Sequence, residues 1–188
     1  MLLEIAGLQK NFGSIVVADN LDLAMAPGEA VGIIGPNGAG KTTLFNLIAG
    51  SLAPDAGALR FDGRDLLGLS PQARCRAGLG RTHQVPRPFE KLTVLENLLV
   101  GAVHARRKTE REVAPSCGEI LDRLGLLRRA NTLAGSLTLL ERKRLEMARA
   151  LATAPRLLLL DEIAGGLTEG ECGELVATIL QIRATGVA

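Results

Sequence analysis

The chain carries the stretch Gly35-Pro36-Asn37-Gly38-Ala39-Gly40-Lys41-Thr42-Thr43, which decides the fold because it matches the pattern G-x-x-x-x-G-K-[ST] at every fixed position. The short apolar run Ala30–Ile34 comes shortly before it and predicts a buried parallel strand. The segment Thr43–Ala49 predicts a helix that Gly50 ends. Strand, glycine loop and helix therefore follow one another in the order that a phosphate-binding loop requires.

This loop has the chemistry to bind the phosphates of a nucleoside triphosphate. Its glycines let successive backbone N–H groups converge on the phosphates, and the positive end of the following helix points at the same anion. We expect Lys41 to reach the β- and γ-phosphates and the Thr42 hydroxyl to ligate the Mg²⁺ that bridges them. Glycine-rich turns without a ligand are also common between strands and helices, but here Lys41 and Thr42 are both in place.

The bulk composition indicates one α/β domain with an aliphatic core. Hydrophobic residues make up 47% of the 188 residues and aromatic residues only 2%, so Leu, Ile, Val and Ala must fill the interior. Such a composition suits helices that pack on a parallel sheet. The net charge of +2 does not demand a nucleic-acid partner, and we expect none.

The cysteines and the apolar runs limit the cellular setting. Cys75, Cys117 and Cys172 are odd in number and widely spaced, which argues against a disulfide framework or a zinc site. A reducing compartment fits best. The first residues lack a basic segment followed by an apolar one, and no apolar run approaches the length of a membrane span. We therefore expect any membrane association to be peripheral.

Three patterns divide the remaining sequence. The first third predicts short strands that form an antiparallel sheet beside the loop. These strands are expected at Leu2–Leu8, Ile15–Val17, Leu21–Leu23 and Ala58–Phe61. From Val94 to about Ala154 the apolar spacing is helical. The run Arg156–Leu160 predicts a second buried parallel strand, and Thr168 with Glu171 has the capping-box spacing that begins a last helix. Its buried face is expected to carry Leu175, Ile179 and Ile182.

Two adjacent carboxylates follow the second parallel strand. Asp161 and Glu162 are expected at the carboxyl edge of the sheet, where open α/β folds bind ligands. We expect Asp161 to hold Mg²⁺ directly or through water, and Glu162 to orient or deprotonate the water that attacks the γ-phosphorus. The alternative is a solvated turn after a strand.

Four motifs in this order resemble the nucleotide-binding subunit of an ATP-binding cassette (ABC) transporter: the phosphate loop, Gln84, Leu137–Leu151 and Leu157–Glu162. Three further segments are similar to the subgroup that serves branched-chain amino acid uptake, namely Gly80–Gln84, Phe89–Leu98 and Arg144–Leu151. The resemblance implies a P-loop NTPase fold: a three-layer α/β core with an antiparallel β edge subdomain and a helical subdomain. It places a single cassette at 1–188 and the helical subdomain at 86–154.

The resemblance also implies roles for single residues. Phe12 matches the aromatic residue that stacks on adenine; the alternative is that it simply plugs the sheet, since burial of an aromatic ring needs no ligand. Gln84 matches the glutamine that senses Mg²⁺ and the attacking water while contacting the membrane partner. Thr138 matches the hydroxyl of the signature motif, which grips the γ-phosphate held by a second subunit. His83 lies where the family more often has an aromatic residue, and we interpret it as packing.

The chain departs from the family pattern at three places. The signature segment reads Leu137-Thr138-Leu139-Leu140-Glu141 and lacks both glycines. The subgroup tolerates a change at the first glycine, but a leucine at Leu140 is expected to keep backbone away from the phosphate and to weaken closure of the dimer. Thr168 stands where the D-loop usually has Asp or Asn. The family's switch histidine lies beyond the final helix, and the sequence reaches Ala188 before it. We expect either a fragment of a longer subunit or an ATP-binding module with impaired hydrolysis.

The sequence thus predicts an ATP-binding and ATP-hydrolysing subunit of an ABC importer for branched-chain amino acids or a similar small solute. Its expected ligands are ATP and Mg²⁺. Its expected partners are membrane-spanning permease subunits and a second ATP-binding subunit, either identical or different, at the cytoplasmic face of the cell membrane. Two alternatives stay open: a nucleotide-dependent interaction module with little hydrolysis, and an ABC-type ATPase that acts on DNA or ribosomes.

Overall fold

The computed structural model describes all 188 residues as six strands and six α-helices. The strands are β1 (Leu3–Phe12), β2 (Ile15–Met25), β3 (Ala56–Phe61), β4 (Arg64–Asp65), β5 (Leu79–Arg81) and β6 (Leu157–Leu159). The helices are α1 (Lys41–Ala49), α2 (Pro71–Arg76), α3 (Val94–Arg106), α4 (Glu110–Arg123), α5 (Leu139–Ala152) and α6 (Glu169–Arg183). Two 3₁₀ turns, at Leu127–Arg129 and Ala134–Ser136, connect α4 to α5. No helix combines the length and the hydropathy needed to cross a bilayer.

The N-terminal strands form the predicted antiparallel sheet, in the order β2-β1-β3-β4. Leu3 of β1 is paired with Met25 on one side and with Phe61 on the other. The two short runs predicted at 15–17 and 21–23 belong to the single long strand β2. Side chains alternate along β1, so Leu3 and Ile5 face one side, and the irregularity between Ile5 and Leu8, where Gly7 has φ 57°, returns Leu8 to that side. All three share a core cluster with Leu47 and Ile48 of α1.

A second, parallel sheet consists of β5 and β6. Leu79 is paired with Leu157 and Arg81 with Leu159, so the two strands end at the same edge. The predicted strand at Arg156–Leu160 is therefore confirmed, two residues shorter than expected. Since both strands are followed by polar residues, this edge carries Gln84 after β5 and the Asp161-Glu162 pair after β6.

The strand predicted at Ala30–Ile34 does not form, and that prediction is wrong. These residues make no backbone–backbone hydrogen bond, and the Ile34 side chain is 97% exposed. A cavity of about 410 Å³, mostly apolar, is lined by Val31 and Ile33 together with residues of β6. A strand needs a neighbour within hydrogen-bonding distance, and the space between this segment and β6 contains none. The free edge of β6 pairs only with Ala188, whose carbonyl accepts the Leu158 N–H at 2.9 Å.

The region from Val94 onward is mostly helical, as predicted. Helices α3, α4 and α5 pack around a core that includes Leu98, Val113, Leu121 and Leu145, each fully buried. The extent of the helical subdomain, 86–154, remains a prediction.

A threonine with a glutamate three residues later begins each of the helices α3 to α6. In each pair the glutamate carboxylate accepts the N–H of the threonine, so the free N–H groups of the first turn are partly satisfied. The pairs are Thr93 with Glu96, Thr109 with Glu112, Thr138 with Glu141, and Thr168 with Glu171. The last pair is the one that the sequence analysis predicted.

Three short elements escaped prediction, namely α2, β4 and β5. Helix α2 begins at the N-cap Ser70, and its Arg74 is 3% exposed. The Arg74 guanidinium donates to the carbonyls of Leu47 at 2.6 Å and Ile48 at 2.9 Å. A cation at these carbonyls stabilises the C-terminal end of α1 and so holds the helix that carries the phosphate loop.

Candidate nucleotide site

The loop before α1 is shaped by two left-handed glycines. Gly38 has φ 83° and Gly40 has φ 85°, a conformation that costs glycine little. A Cβ atom at Gly40 would lie 2.9 Å from the carbonyl oxygen of Val17, whereas one at Gly38 would meet nothing within 4 Å. The loop therefore approaches β2 closely at Gly40 and is open at Gly38.

The N-terminus of α1 has no side-chain cap. Its N-cap is Gly40, and no acidic residue lies in its first turn, in contrast to the first turns of α3 to α6. The free N–H groups of this turn and the helix dipole together favour an anion at the loop.

Lys41 points back into the loop. Its ammonium donates to the carbonyl oxygens of Gly35 at 2.7 Å and Pro36 at 2.8 Å. These two acceptors hold the charge inside the loop, next to the uncapped N-terminus of α1. A phosphate oxygen that enters the loop meets both the ammonium and the free N–H groups.

A cavity of about 460 Å³ brings most of the predicted nucleotide residues together. Its lining comprises Phe12, Ile15, Val17, Asn37, Gly38, Ala39, Gly40, Lys41, Thr42, Thr43, Gln84 and Glu162. The Phe12 side chain is 49% exposed, and the ammonium of Lys10 lies 5.5 Å from the centre of its ring. Because Phe12 stands at the open cavity rather than in the sheet core, its ring is available for stacking. Gly35 and Pro36 support the loop without lining this cavity.

Asp161 lies behind Thr42. It is 4% exposed, and its Oδ1 accepts a hydrogen bond from the Thr42 hydroxyl at 3.4 Å. A buried carboxylate next to a hydroxyl supplies hard oxygen ligands, which is the donor chemistry that Mg²⁺ requires. Mg²⁺ sites beside phosphates need only one or two protein ligands, so these two residues fit the ion.

Gln84 and Glu162 contact each other in the cavity. The Gln84 side-chain amide donates to a carboxylate oxygen of Glu162. Glu162 itself has φ 45°, an uncommon backbone conformation for a residue with a side chain. Strain of this kind is found at functional sites, where the surrounding structure fixes it. A water bound between the two side chains has to displace their hydrogen bond.

Thr138 does not line the cavity. It is the N-cap of α5, and its hydroxyl accepts the Glu141 N–H at 3.3 Å while the Glu141 carboxylate accepts the Thr138 N–H at 2.9 Å. The Thr138 N–H, with help from Arg129, lowers the pKa of the Glu141 carboxyl. A hydroxyl that accepts a hydrogen bond keeps its own proton to donate, so Thr138 still has a donor to offer a phosphate.

The two leucines that replace the signature glycines, Leu139 and Leu140, are not buried, whereas Leu137 is 5% exposed. Leu139 is 46% exposed, and one of its methyl groups lies 3.3 Å from the point where a Cβ of Gly166 would be. Leu140 is half-buried. The segment that replaces the two glycines therefore packs in part on the chain's own 165–168 loop.

Two residues near the carboxylates were missed by the sequence analysis. Arg81, at the end of β5, lies 3.5 Å from the second oxygen of Asp161, and it also donates to the amide oxygen of Asn46 at 2.7 Å. The sequence signal was a single basic residue at the end of a short buried strand, three positions before Gln84. Nothing local in the sequence indicates its acidic partner.

Comparison with known proteins decides the family of the chain. A family model described as ABC transporter matches residues 18–165 and so includes the phosphate loop, Gln84 and the two carboxylates. This chain belongs to the ABC transporter family. As a member it is an ATP-binding, ATP-hydrolysing transporter subunit.

Relatives and solved ABC cassettes agree along nearly the whole chain. It is 38% identical to the high-affinity branched-chain amino acid transport ATP-binding protein BraF of Pseudomonas aeruginosa, and 39% identical to LivG of Escherichia coli, which carries the same description. Both alignments cover 97% of this chain and 77% of the relative. A crystal structure of the ADP conformation of an ABC transporter cassette superposes with a TM-score of 0.90 at 32% identity, covering 99% of this chain and 78% of the other. The P-loop NTPase fold predicted from the sequence is thereby confirmed.

Proposed function

We propose that this chain hydrolyses Mg-ATP to drive import of branched-chain amino acids or a similar small solute. The observation that carries the proposal is the cavity in which the phosphate loop, Phe12, Gln84 and Glu162 meet. The solute class is supported by BraF and LivG, which are named for transport of branched-chain amino acids.

The residues around the cavity divide the work of hydrolysis. Lys41 and the N–H groups of the loop bind the β- and γ-phosphates, and Phe12 stacks on the adenine. Thr42 and Asp161 hold Mg²⁺, which offsets the charge on the phosphate oxygens. Glu162 accepts the proton of the attacking water, and Gln84 orients that water once their mutual hydrogen bond opens.

The partners proposed for the chain are a second ATP-binding subunit and membrane-spanning permease subunits. Thr138 lies outside the chain's own cavity with a free hydroxyl proton, which suits contact with the γ-phosphate of the second subunit. A groove of about 320 Å³ lies between the sheet edge and the helical region and includes Phe89 and Arg149. We assign the permease contact to this groove and Gln84, at the cytoplasmic face of the membrane, with peripheral association. Nucleic acid is not among the proposed partners.

A second candidate is a nucleotide-dependent interaction module with little hydrolysis. It is favoured by Leu140, which replaces the glycine that lets backbone reach a phosphate. It is also favoured by the hydrogen bond that Gln84 donates to Glu162, because this bond engages the carboxylate that would accept a proton from the attacking water.

Calorimetry and hydrolysis assays on matched variants test the proposal. The wild-type chain is expected to bind Mg-ATP, and Lys41→Ala to lose most of that affinity. Glu162→Gln should bind Mg-ATP but fail to hydrolyse it when assembled with a permease and a second subunit. Glu119→Gln, the same change on the exposed face of α4, is the control and should behave like wild type. Absence of Mg-ATP binding by the wild-type chain would contradict nucleotide binding. Binding without hydrolysis by the assembled wild type would favour the interaction module.

Leucine uptake into proteoliposomes tests the solute class. ATP-dependent uptake that the Glu162→Gln assembly lacks is expected. Hydrolysis without uptake of any branched-chain amino acid would show that another solute is carried.

A further inference from the structure

We propose that Arg81 is a positioning residue for the magnesium-binding carboxylate: it holds one oxygen of Asp161 so that the other faces Thr42 and the metal. This inference rests on the proposed function, because it concerns the same Mg-nucleotide site. It assigns a role to a residue outside the nucleotide cavity.

The geometry gives the two oxygens of Asp161 different partners. Oδ1 accepts the Thr42 hydroxyl at 3.4 Å, whereas Oδ2 lies 3.5 Å from a terminal nitrogen of Arg81. A carboxylate that rotates freely offers either oxygen, but one with a cation on Oδ2 presents only Oδ1 to the phosphate loop. Which oxygen of Asp161 faces Arg81 and which faces Thr42 is therefore fixed before any ligand binds.

Burial strengthens the interaction between Arg81 and Asp161. The side chains of Arg81 and Asp161 are 13% and 5% exposed, and Arg81 is the only basic residue within salt-bridge distance of this carboxylate. A buried carboxylate without a charged partner is costly, and interactions in such surroundings are screened less than on the surface. Removal of the guanidinium would leave the Asp161 carboxylate with one long hydrogen bond, from the Thr42 hydroxyl at 3.4 Å.

Asn46 completes a closed set of contacts. Its amide oxygen accepts from the other terminal nitrogen of Arg81 at 2.7 Å, which fixes the guanidinium plane. Thr42 and Asn46 are four residues apart on α1 and so lie on one face of the helix. Thr42, Asp161, Arg81 and Asn46 thus form a ring that joins α1, β5 and the end of β6. Only a forked side chain reaches both acceptors from different nitrogens, which is a property of arginine and not of lysine.

The test compares ADP binding with and without Mg²⁺ in Arg81→Met. In excess EDTA the variant should bind ADP as the wild type does, because Arg81 does not line the nucleotide cavity. In a Mg²⁺ titration at fixed ADP, the half-saturating Mg²⁺ concentration should rise about 10- to 100-fold, the usual effect of removing the residue that orients a metal ligand. A purely structural role would weaken binding equally in both conditions.

Three further variants keep the test sharp. Arg144→Met is the matched control. Like Arg81, Arg144 pairs with one carboxylate, that of Glu174, and has a buried Nε without a hydrogen-bond partner. Its ion pair joins α5 to α6 and does not involve Asp161. It should leave the Mg²⁺ response unchanged. Asn46→Ala should shift the response in the same direction as Arg81→Met and serves if that variant does not fold. In an Asp161→Asn background, Arg81→Met should add nothing, because the two residues act as one unit.

The outcomes separate this inference from the proposed function. If the wild type binds ADP with a clear Mg²⁺ dependence that Arg81→Met retains, the positioning role is overturned and the proposed function stands. The same conclusion follows if Arg81→Met still weakens the Mg²⁺ response in the Asp161→Asn background. If the wild type shows no Mg²⁺-dependent ADP binding at all, both are overturned.

Discussion

The contact between Gly40 and Val17 gives a test of how the phosphate loop is built. Gly40→Ala and Gly38→Ala place the same methyl group on two glycines that have nearly the same left-handed backbone, with φ 85° and 83°. Only at Gly40 does the new Cβ meet other atoms, namely a methyl carbon and the carbonyl oxygen of Val17, both at 2.9 Å. The pair of variants therefore separates backbone strain from crowding.

The magnitudes follow from these two contributions. A left-handed conformation costs an alanine about 1 to 2 kcal/mol at either position. At Gly40 the crowding adds about 1 to 3 kcal/mol, because a backbone oxygen cannot rotate away as a side chain can. We expect Gly40→Ala to lower the free energy of unfolding by about 2 to 5 kcal/mol and Gly38→Ala by about 1 to 2 kcal/mol.

Urea unfolding without nucleotide measures both variants. The midpoint should fall further for Gly40→Ala, with the slope unchanged, since a change in midpoint alone reports stability. Equal midpoints for the two variants would refute the close approach of the loop to β2. Val17→Ala should recover part of the Gly40→Ala loss and nothing of the Gly38→Ala loss, because it removes the methyl carbon but leaves the carbonyl.

Three further outcomes are expected. Glu162→Gln should slow steady-state hydrolysis by about 10²- to 10⁴-fold in the assembled transporter; a small effect would show that another group accepts the proton. Leu140→Gly should raise hydrolysis by the assembled transporter, because glycine lets backbone approach the phosphate; unchanged turnover would count against that explanation. Acid should destabilise the helix N-termini, because the neighbouring threonine N–H groups hold four glutamate pKa values below the ordinary 4.5. Their contribution is present above pH 4.5 and is lost as the pH falls through the lowered pKa values, so circular dichroism should show the stability falling there, and less steeply in a Glu112→Gln variant. These glutamates are Glu96, Glu112, Glu141 and Glu171.

Local patterns were predictable from the sequence because each depends on a few adjacent residues. The phosphate loop is a contiguous motif whose glycines and lysine have fixed spacing. The cap at Thr168 needs only a glutamate three residues later, and β6 needs only a continuous apolar run. The same argument predicted that Asp161 and Glu162 would lie at the carboxyl edge of the parallel sheet.

Features that depend on distant residues were missed or mistaken. An apolar run such as Ala30–Ile34 has the composition of a strand, but a strand also needs a partner, and composition does not show whether one is present. The pairing of Arg81 with Asp161 joins positions 80 residues apart, and no periodicity connects them. Strand β5 has only three residues, which is too short for alternation to be recognised.

The two carbonyl contacts of Lys41 bear on how quickly a nucleotide is captured. A long flexible side chain normally loses much of its freedom when it binds a ligand, yet the Lys41 side chain is already held by two carbonyl oxygens of its own loop. When a polyphosphate binds, the Lys41 ammonium therefore exchanges carbonyl oxygens for phosphate oxygens and hardly moves. Association should be governed by diffusion and by long-range attraction, with the lifetime of the complex accounting for most of the difference in affinity between nucleotides.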